Sequence, residues 1–118
     1  MSSLRRGCIV LGTDTGVGKT LVTALLGWTA REVGWDWVPM KPVQTGGVWG
    51  AVGRLTAPDL DWVLAVMGGE PDPAERELMN PYVFELPASP HLAAECAGVE
   101  IERGRLEAAF RALAARHE

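Results

Sequence analysis

The sequence predicts an α/β fold: a doubly wound, mostly parallel sheet flanked by helices, of which this chain carries the N-terminal half. Three observations lead there. The run "CIVL" at 8–11 is short, continuous and apolar, and it stops in turn chemistry, as a strand buried on both faces does. A glycine-rich turn and a helical pattern follow it. A second extended segment then opens into another glycine-containing loop, so strand, loop and helix alternate.

Each element has its own signal. After the first strand, "KTLVTALLGWTAREVG" places Leu21, Ala24, Leu25 and Trp28 at helical spacing on one face, and Gly34 supplies a stop. Trp35 and Trp37 alternate at strand spacing, which puts a second strand near 36–40 and a loop from Lys41. Residues 46–57, "GGVWGAVGRLTA", read as a glycine-rich loop. "TAPDLDWVLAVMGG" reads as a helix with Thr56 as N-cap and Pro58 in its first turn. "GEPDPAERE" at 69–77 reads as a solvated loop rather than a metal site. "NPYVFELPASPHLAAE" starts with a turn and a short extended piece, then Ser89 and Pro90 open a helix. "GRLEAAFRALAARHE" carries Leu106, Ala109, Phe110 and Leu113 on one stripe of a last amphipathic helix. Two strands are well marked and a third is short. An open doubly wound sheet normally has more, so the pattern resembles the first half of a larger nucleotide-binding domain.

Composition narrows the class. With 118 residues and nearly half of them apolar, residues 1–118 are expected to form one packed domain. The net charge of −4 opposes nucleic-acid binding, because phosphate backbones attract basic faces. The two cysteines, Cys8 and Cys96, lack a metal-ligand spacing. Cys8 is expected to be a buried thiol, and a reducing cytoplasm is the expected location. No segment is long enough to span a membrane. The five tryptophans are expected in the core and in loop packing. His91 is expected to be structural or superficial, and His117 to be exposed.

The chemistry lies in "GTDTGVGKT", residues 12–20. A phosphate loop of the form G-x-x-x-x-G-K-[ST] would need its first glycine at 13. That residue is Thr13, and the glycine is Gly12. The strand–loop–helix context is still the required one and predicts a P-loop NTPase-like domain. Glycines turn backbone N–H groups inward as an anion nest, and the helix N-terminus adds its positive end. Gly12, Thr13, Asp14, Thr15, Gly16, Val17, Gly18, Lys19 and Thr20 are therefore the candidate ATP-binding residues. Lys19 would supply charge to the β- and γ-phosphates, and Thr20 a hydroxyl to Mg²⁺.

"MKPVQTG" follows the second expected strand. Ligands of parallel sheets lie beyond the carboxyl ends of strands, so Lys41 can share a pocket with the phosphate loop, and Thr45 offers a hydroxyl. Composition alone would leave Lys41 a solvated surface lysine. Asp59 is read equally well as a second Mg²⁺ ligand and as the acidic partner of Thr56 in a capping-box variant. Asp61 is its neighbouring competitor.

"GTDTGVGKT", then "KPVQTG", then "NPYVFELPASPH" resemble the dethiobiotin synthetases in content, order and spacing, and the resemblance covers essentially the whole chain. Five residues separate the loop glycines in that family, as they separate Gly12 from Gly18. The resemblance implies an ATP- and Mg²⁺-dependent ring closure. 7,8-Diaminononanoate takes up CO₂ (from bicarbonate) as a carbamate, ATP phosphorylates the carbamate, and the second amine closes a cyclic urea. It implies that Lys19, Lys41 and Thr15 are catalytic, that Lys41 and Thr45 contact substrate, and that Thr20 and Asp59 hold Mg²⁺, with Asp61 the weaker match. It implies a cytoplasmic homodimer. Gly16 stands where some members carry an acidic residue. The family also continues into a Glu-Gly-Ala-Gly-Gly strand, absent here, whose glutamate helps bind the metal.

Three other readings compete. Cobyrinic acid synthases share the loop style but not the "NPYxFxxPxSPH" segment. Nucleotide switches that partition DNA carry a lysine where this chain has Asp14. A phosphate-binding module without chemistry is the third.

Overall fold

The computed structural model describes residues 7–11, 18–51 and 53–117. Five helices and four two-residue strands follow one another: α1 (Lys19–Glu32), β1 (Val43–Gln44), β2 (Val48–Trp49), β3 (Leu55–Thr56), α2 (Pro58–Met67), α3 (Pro73–Met79), β4 (Tyr82–Val83), α4 (Pro90–Ala97) and α5 (Arg103–Arg116). The class is α/β, as expected, and β1 pairs with β4 in parallel, Val43 opposite Tyr82. Further backbone bonds extend that contact on both sides. The amide of Lys41 donates to Met79 at 2.8 Å, Phe84 to Gln44 at 2.8 Å and Gly47 to Phe84 at 2.9 Å.

Two apolar clusters cover this ladder. Leu60 and Leu64 of α2, Met79 and Leu113 pack together with Ala57, against half-buried Val38 and Met40. Tyr82 and Phe84, two residues apart and so on one face of the strand, pack against Ala93 and Ala94 of α4. Their rings stack with centroids 6.0 Å apart. Arg105 lies 4.5 Å over the Tyr82 ring, a cation–π contact. The Tyr82 hydroxyl accepts from the Glu102 amide at 3.0 Å, so the start of α5 is tied to β4.

Several expectations fail, each for a physical reason. Residues 8–11 form no strand; Ile9 and Leu11 are 83% and 85% exposed, and Cys8 is exposed rather than buried. An apolar run becomes a strand only when a neighbour supplies its ladder bonds, and among the described residues none does. The second strand is β1, not 36–40. Pro39 and Pro42 lack an N–H, and pairing is set by where Tyr82–Val83 lies. The glycine-rich stretch 46–57 is not a plain loop but holds the antiparallel hairpin β2–β3. Gly53 in that hairpin adopts φ 73, a left-handed conformation suited to glycine. Thr56 belongs to β3 and donates its hydroxyl to Val48 at 2.8 Å. The N-cap of α2 is Ala57, so the capping-box reading of Asp59 fails.

The stretch 69–77 is not all loop either, because α3 starts inside it. Asp72 accepts from the Glu75 amide at 2.8 Å, and Pro73 takes the first helical position. That is an Asp-x-x-Glu start signal hidden among charges and prolines. In α1 the buried residues are Ala24, Gly27 and Ala30, while Leu21, Leu25 and Trp28 face solvent. α1 meets α2 closely enough that Met67 and Trp37 crowd Gly27, and only small residues permit such an approach. Trp28, Trp35, Trp49 and Trp62 are exposed, against the expectation of core packing. In α5, Ala109 and Leu113 are buried as expected, but Phe110 is exposed. His117 is not free in solvent; it is bonded to Asp36 and Glu75.

Candidate functional site

Lys41 sits between two prolines, Pro39 one residue removed and Pro42 adjacent. Its backbone is held at both polar groups. The N–H donates to Met79, and the carbonyl accepts from Asn80 Nδ2 at 2.7 Å. The same Asn80 amide reaches the Tyr82 carbonyl at 3.2 Å. Asn80 thus bridges the two parallel segments, and the "N" of "NPYVFEL" acts as a clamp on the Lys41 backbone. Sequence reasoning read this segment as a turn and a short extended piece and missed that contact. Its signal was an amide side chain directly after a helix end, beside a proline.

With the backbone fixed, the Lys41 ammonium reaches Asp59 Oδ2 at 2.7 Å. Asp59 lies in the first turn of α2, where the helix dipole favours a carboxylate. The two side chains are 37% and 42% exposed. An ion pair so open to water contributes at most about 1 kcal/mol to stability. It leaves a cation and an anion together, reachable from solvent, and separable by a ligand of higher charge. Asp61, the competing carboxylate, is engaged by Arg76 of α3 and turned away from Lys41.

Gly18 begins α1 in the left-handed region at φ 95, a conformation that glycine adopts without cost to a side chain. Half-buried Lys19 and Thr20 follow as the first helical residues. The first turn of α1 carries no acidic side chain, so its positive end is not neutralised from within. Thr23 closes its hydroxyl on the Lys19 carbonyl at 2.7 Å. Gly12, Thr13, Asp14, Thr15, Gly16 and Val17 lie outside the described residues. Thr45 lies just past β1, half-buried, its carbonyl accepting from the Gln44 side chain at 2.6 Å. Gln44 itself is buried, and its Oε1 has no partner among the described residues.

The structure therefore brings Lys41 and Asp59 into contact. It places Lys19–Thr20 and Asp59 on first turns of two helices that pack against each other. Thr45 stands at the far end of the strand from Lys41. Among the described residues no three His, Cys, Asp or Glu side chains gather as a metal cluster. Oxygen donors of the kind that magnesium takes are present singly. That ion takes hard oxygens, keeps several waters, and is usually held by one or two carboxylates together with substrate phosphates. A hydroxyl from Thr20 and a carboxylate from Asp59 are donors of that kind. Among the described residues no helix is long and apolar enough to cross a membrane.

Comparison with known proteins agrees with the motif reading. Residues 6–118 match the model of an AAA domain family, AAA_26. The chain is 46% identical over 114 residues to the ATP-dependent dethiobiotin synthetase BioD of Anaeromyxobacter sp. (strain Fw109-5), covering 96% of this chain and 47% of that protein. It is 38% identical over 110 residues to the protein of the same name from Aromatoleum aromaticum, covering 93% and 47%. It is 40% identical over 96 residues to that from Lysinibacillus sphaericus, covering 79% and 38%. The chain spans about half the length of the curated relatives it matches most fully.

Proposed function

Because this chain belongs to the AAA domain family AAA_26, we propose that it carries the phosphate-loop and carbamate-side machinery of an ATP-dependent dethiobiotin synthetase. The observation that carries the reading is the Lys41–Asp59 pair, set at one end of a parallel strand contact and open to solvent. Its support is the similarity to ATP-dependent dethiobiotin synthetases that match nearly all of this chain.

In this reading residues 12–20 wrap the phosphates of ATP, and Lys19 and Lys41 approach the transferring group from two sides. 7,8-Diaminononanoate adds one amine to CO₂ and becomes a carbamate. A carbamate oxygen then takes the γ-phosphoryl group of ATP, and ADP leaves. The second amine attacks the carbamoyl carbon, the ring closes as a cyclic urea, and inorganic phosphate departs. The difficulty is electrostatic, since an anionic carbamate must meet an anionic phosphate. Catalysis of such a transfer is mainly positioning and charge stabilisation. Lys41, with its backbone clamped by Met79 and Asn80, supplies a fixed cation, and Thr15 contributes a hydroxyl. Thr45 contacts the substrate. Thr20 and Asp59 would hold Mg²⁺, which would neutralise phosphate charge. Separating the Lys41–Asp59 pair frees the ammonium for the carbamate and would leave the Asp59 carboxylate available to Mg²⁺. The protein works in the cytoplasm as a homodimer.

The test is phosphate release from ATP by the whole gene product. Release is expected only when the diamine and bicarbonate are both present; turnover without the diamine would favour the nucleotide-switch class instead. Lys41→Ala is expected to lower the rate by about 100- to 1,000-fold, the scale for losing one transition-state donor, with a modest loss of ATP binding. An unchanged rate would remove Lys41 from the mechanism.

A further inference from the structure

The end of α5 closes on two carboxylates from distant parts of the chain. His117 Nδ1 lies 2.6 Å from Asp36 Oδ1, and Nε2 is bonded to Glu75 Oε1. Asp36 belongs to the connector between α1 and β1, and Glu75 to the first turn of α3. A neutral imidazole has one N–H and one lone pair, whereas an imidazolium has two N–H donors. Ionised carboxylates only accept. A neutral ring would satisfy one of them and turn its lone pair on the other. Both contacts are made together only by the charged ring.

The surroundings agree. Burial opposes a charge on His117, but hydrogen bonds to Asp36 and Glu75, with their negative charges, outweigh it, and the ring titrates above its ordinary 6.5. Two neighbouring pairs are formed by other groups: Arg116 of α5 lies 3.7 Å from Asp72 at the start of α3, and Arg76 of α3 holds Asp61 of α2. The two segments that His117 grips are the ones that reach Lys41. Asp36 is five residues before it. Glu75 starts the helix that ends in Met79 and Asn80, the two residues bonded to the Lys41 backbone.

We propose that His117 is a protonation-gated clasp, which as imidazolium ties the end of α5 to the α1–β1 connector and to α3, and so steadies the Lys41 backbone. The sign follows from linkage. A group whose folded pKa is raised stabilises the fold fully below its unfolded value of about 6.5. That contribution is lost as pH rises through the raised folded midpoint. Alkaline solution should therefore open the clasp while leaving the rest of the core intact.

An NMR titration of the imidazole resonances of the 118-residue chain tests this, with its two histidines told apart by substitution of His91. The His117 midpoint is expected above 6.5 and is expected to fall in both Asp36→Asn and Glu75→Gln. A midpoint at or below 6.5, or one indifferent to both substitutions, would overturn the clasp, and the unsubstituted chain alone suffices for the first of these. Amide exchange at Lys41 gives the coupling. At pH 6 the Lys41 amide should exchange faster in His117→Gln than in the parent, and the difference should vanish above the His117 midpoint. Equal exchange at every pH, or a difference that ignores pH, would refute the gating.

Discussion

The Lys41 ladder and helix α1 bury their side chains in opposite ways. Around the ladder the large residues are inside: Leu60 is 2% exposed, and Met79, Tyr82 and Phe84 are as deeply buried. In α1 the small residues are inside, and the large ones, Leu21, Leu25 and Trp28, lie about half exposed. The ladder is thus held by apolar burial and by backbone bonds. α1 is held by close approach across Gly27 and by Arg31, which donates to the Met67 carbonyl at 2.9 Å. The proposed site draws one half from each region. Lys41 and Asp59 rest on the part of the molecule that supports itself. Lys19 and Thr20 rest on a helix that meets α2 through small residues and leaves its large apolar side chains half exposed.

Truncating one leucine in each region is the most direct way to break that comparison. Leu60→Ala should cost about 2–5 kcal/mol, as large-to-small changes in packed cores do, read from urea unfolding midpoints. A loss under about 1 kcal/mol would mean that the ladder side is no better packed than α1. Next in size is Asn80→Ala. It leaves the carbonyls of Lys41 and Tyr82 without their side-chain donor, which should cost about 1–3 kcal/mol where those groups stay out of water. The same variant should speed amide exchange at Lys41, and unchanged exchange there would show that Met79 alone fixes the segment.

The two regions also differ in how legible they were. The helices of α1, α2, α4 and α5 follow from period, proline and glycine signals, and all four exist where those signals lie. A parallel sheet was expected from the α/β class, but the "KPVQTG" segment, read as a loop, was not expected to pair with "NPYVF". Which face of α1 turns inward did not follow. Leu21, Leu25 and Trp28 have the greater apolar area, but Ala24, Gly27 and Ala30 allow the closer approach to α2, and the structure takes the second. Strand placement was equally hidden, since Val43–Gln44 is a strand only because Tyr82–Val83 lies beside it. The same limit applies to ion pairs. Spacing left Asp61 a competitor of Asp59, and the three-dimensional placement of Lys41 and Arg76 separates them. The Asp36–His117–Glu75 contact spans most of the chain and had no local signal at all.

Gly27→Ala probes the close approach of α1 to α2 itself. A methyl group at that position would meet Met67 Sδ and a Trp37 ring carbon, each at 2.7 Å. Both are side-chain atoms rather than backbone, and the thioether can move aside. Overpacking of this kind costs about 1–3 kcal/mol, while alanine improves on glycine inside a helix by about 1 kcal/mol. A net loss of up to about 2 kcal/mol is expected. A net gain would show that α1 and α2 can part without penalty, which would sharpen the contrast with the ladder.

The smallest effect is expected from Leu25→Ala, the partner of Leu60→Ala in the comparison. Leu25 is 51% exposed, and alanine is the better helix former. The change should stay within about 0.5 kcal/mol, as surface substitutions usually do. Its value lies in the alternative. If this truncation cost as much as a core leucine, the stripe of Leu21, Leu25 and Trp28 would have to be covered in solution. Cover by a second copy makes the unfolding midpoint depend on protein concentration; cover within one chain does not. Repeating the measurement over a hundredfold range of concentration therefore separates a bare helix face, an intermolecular one and an intramolecular one.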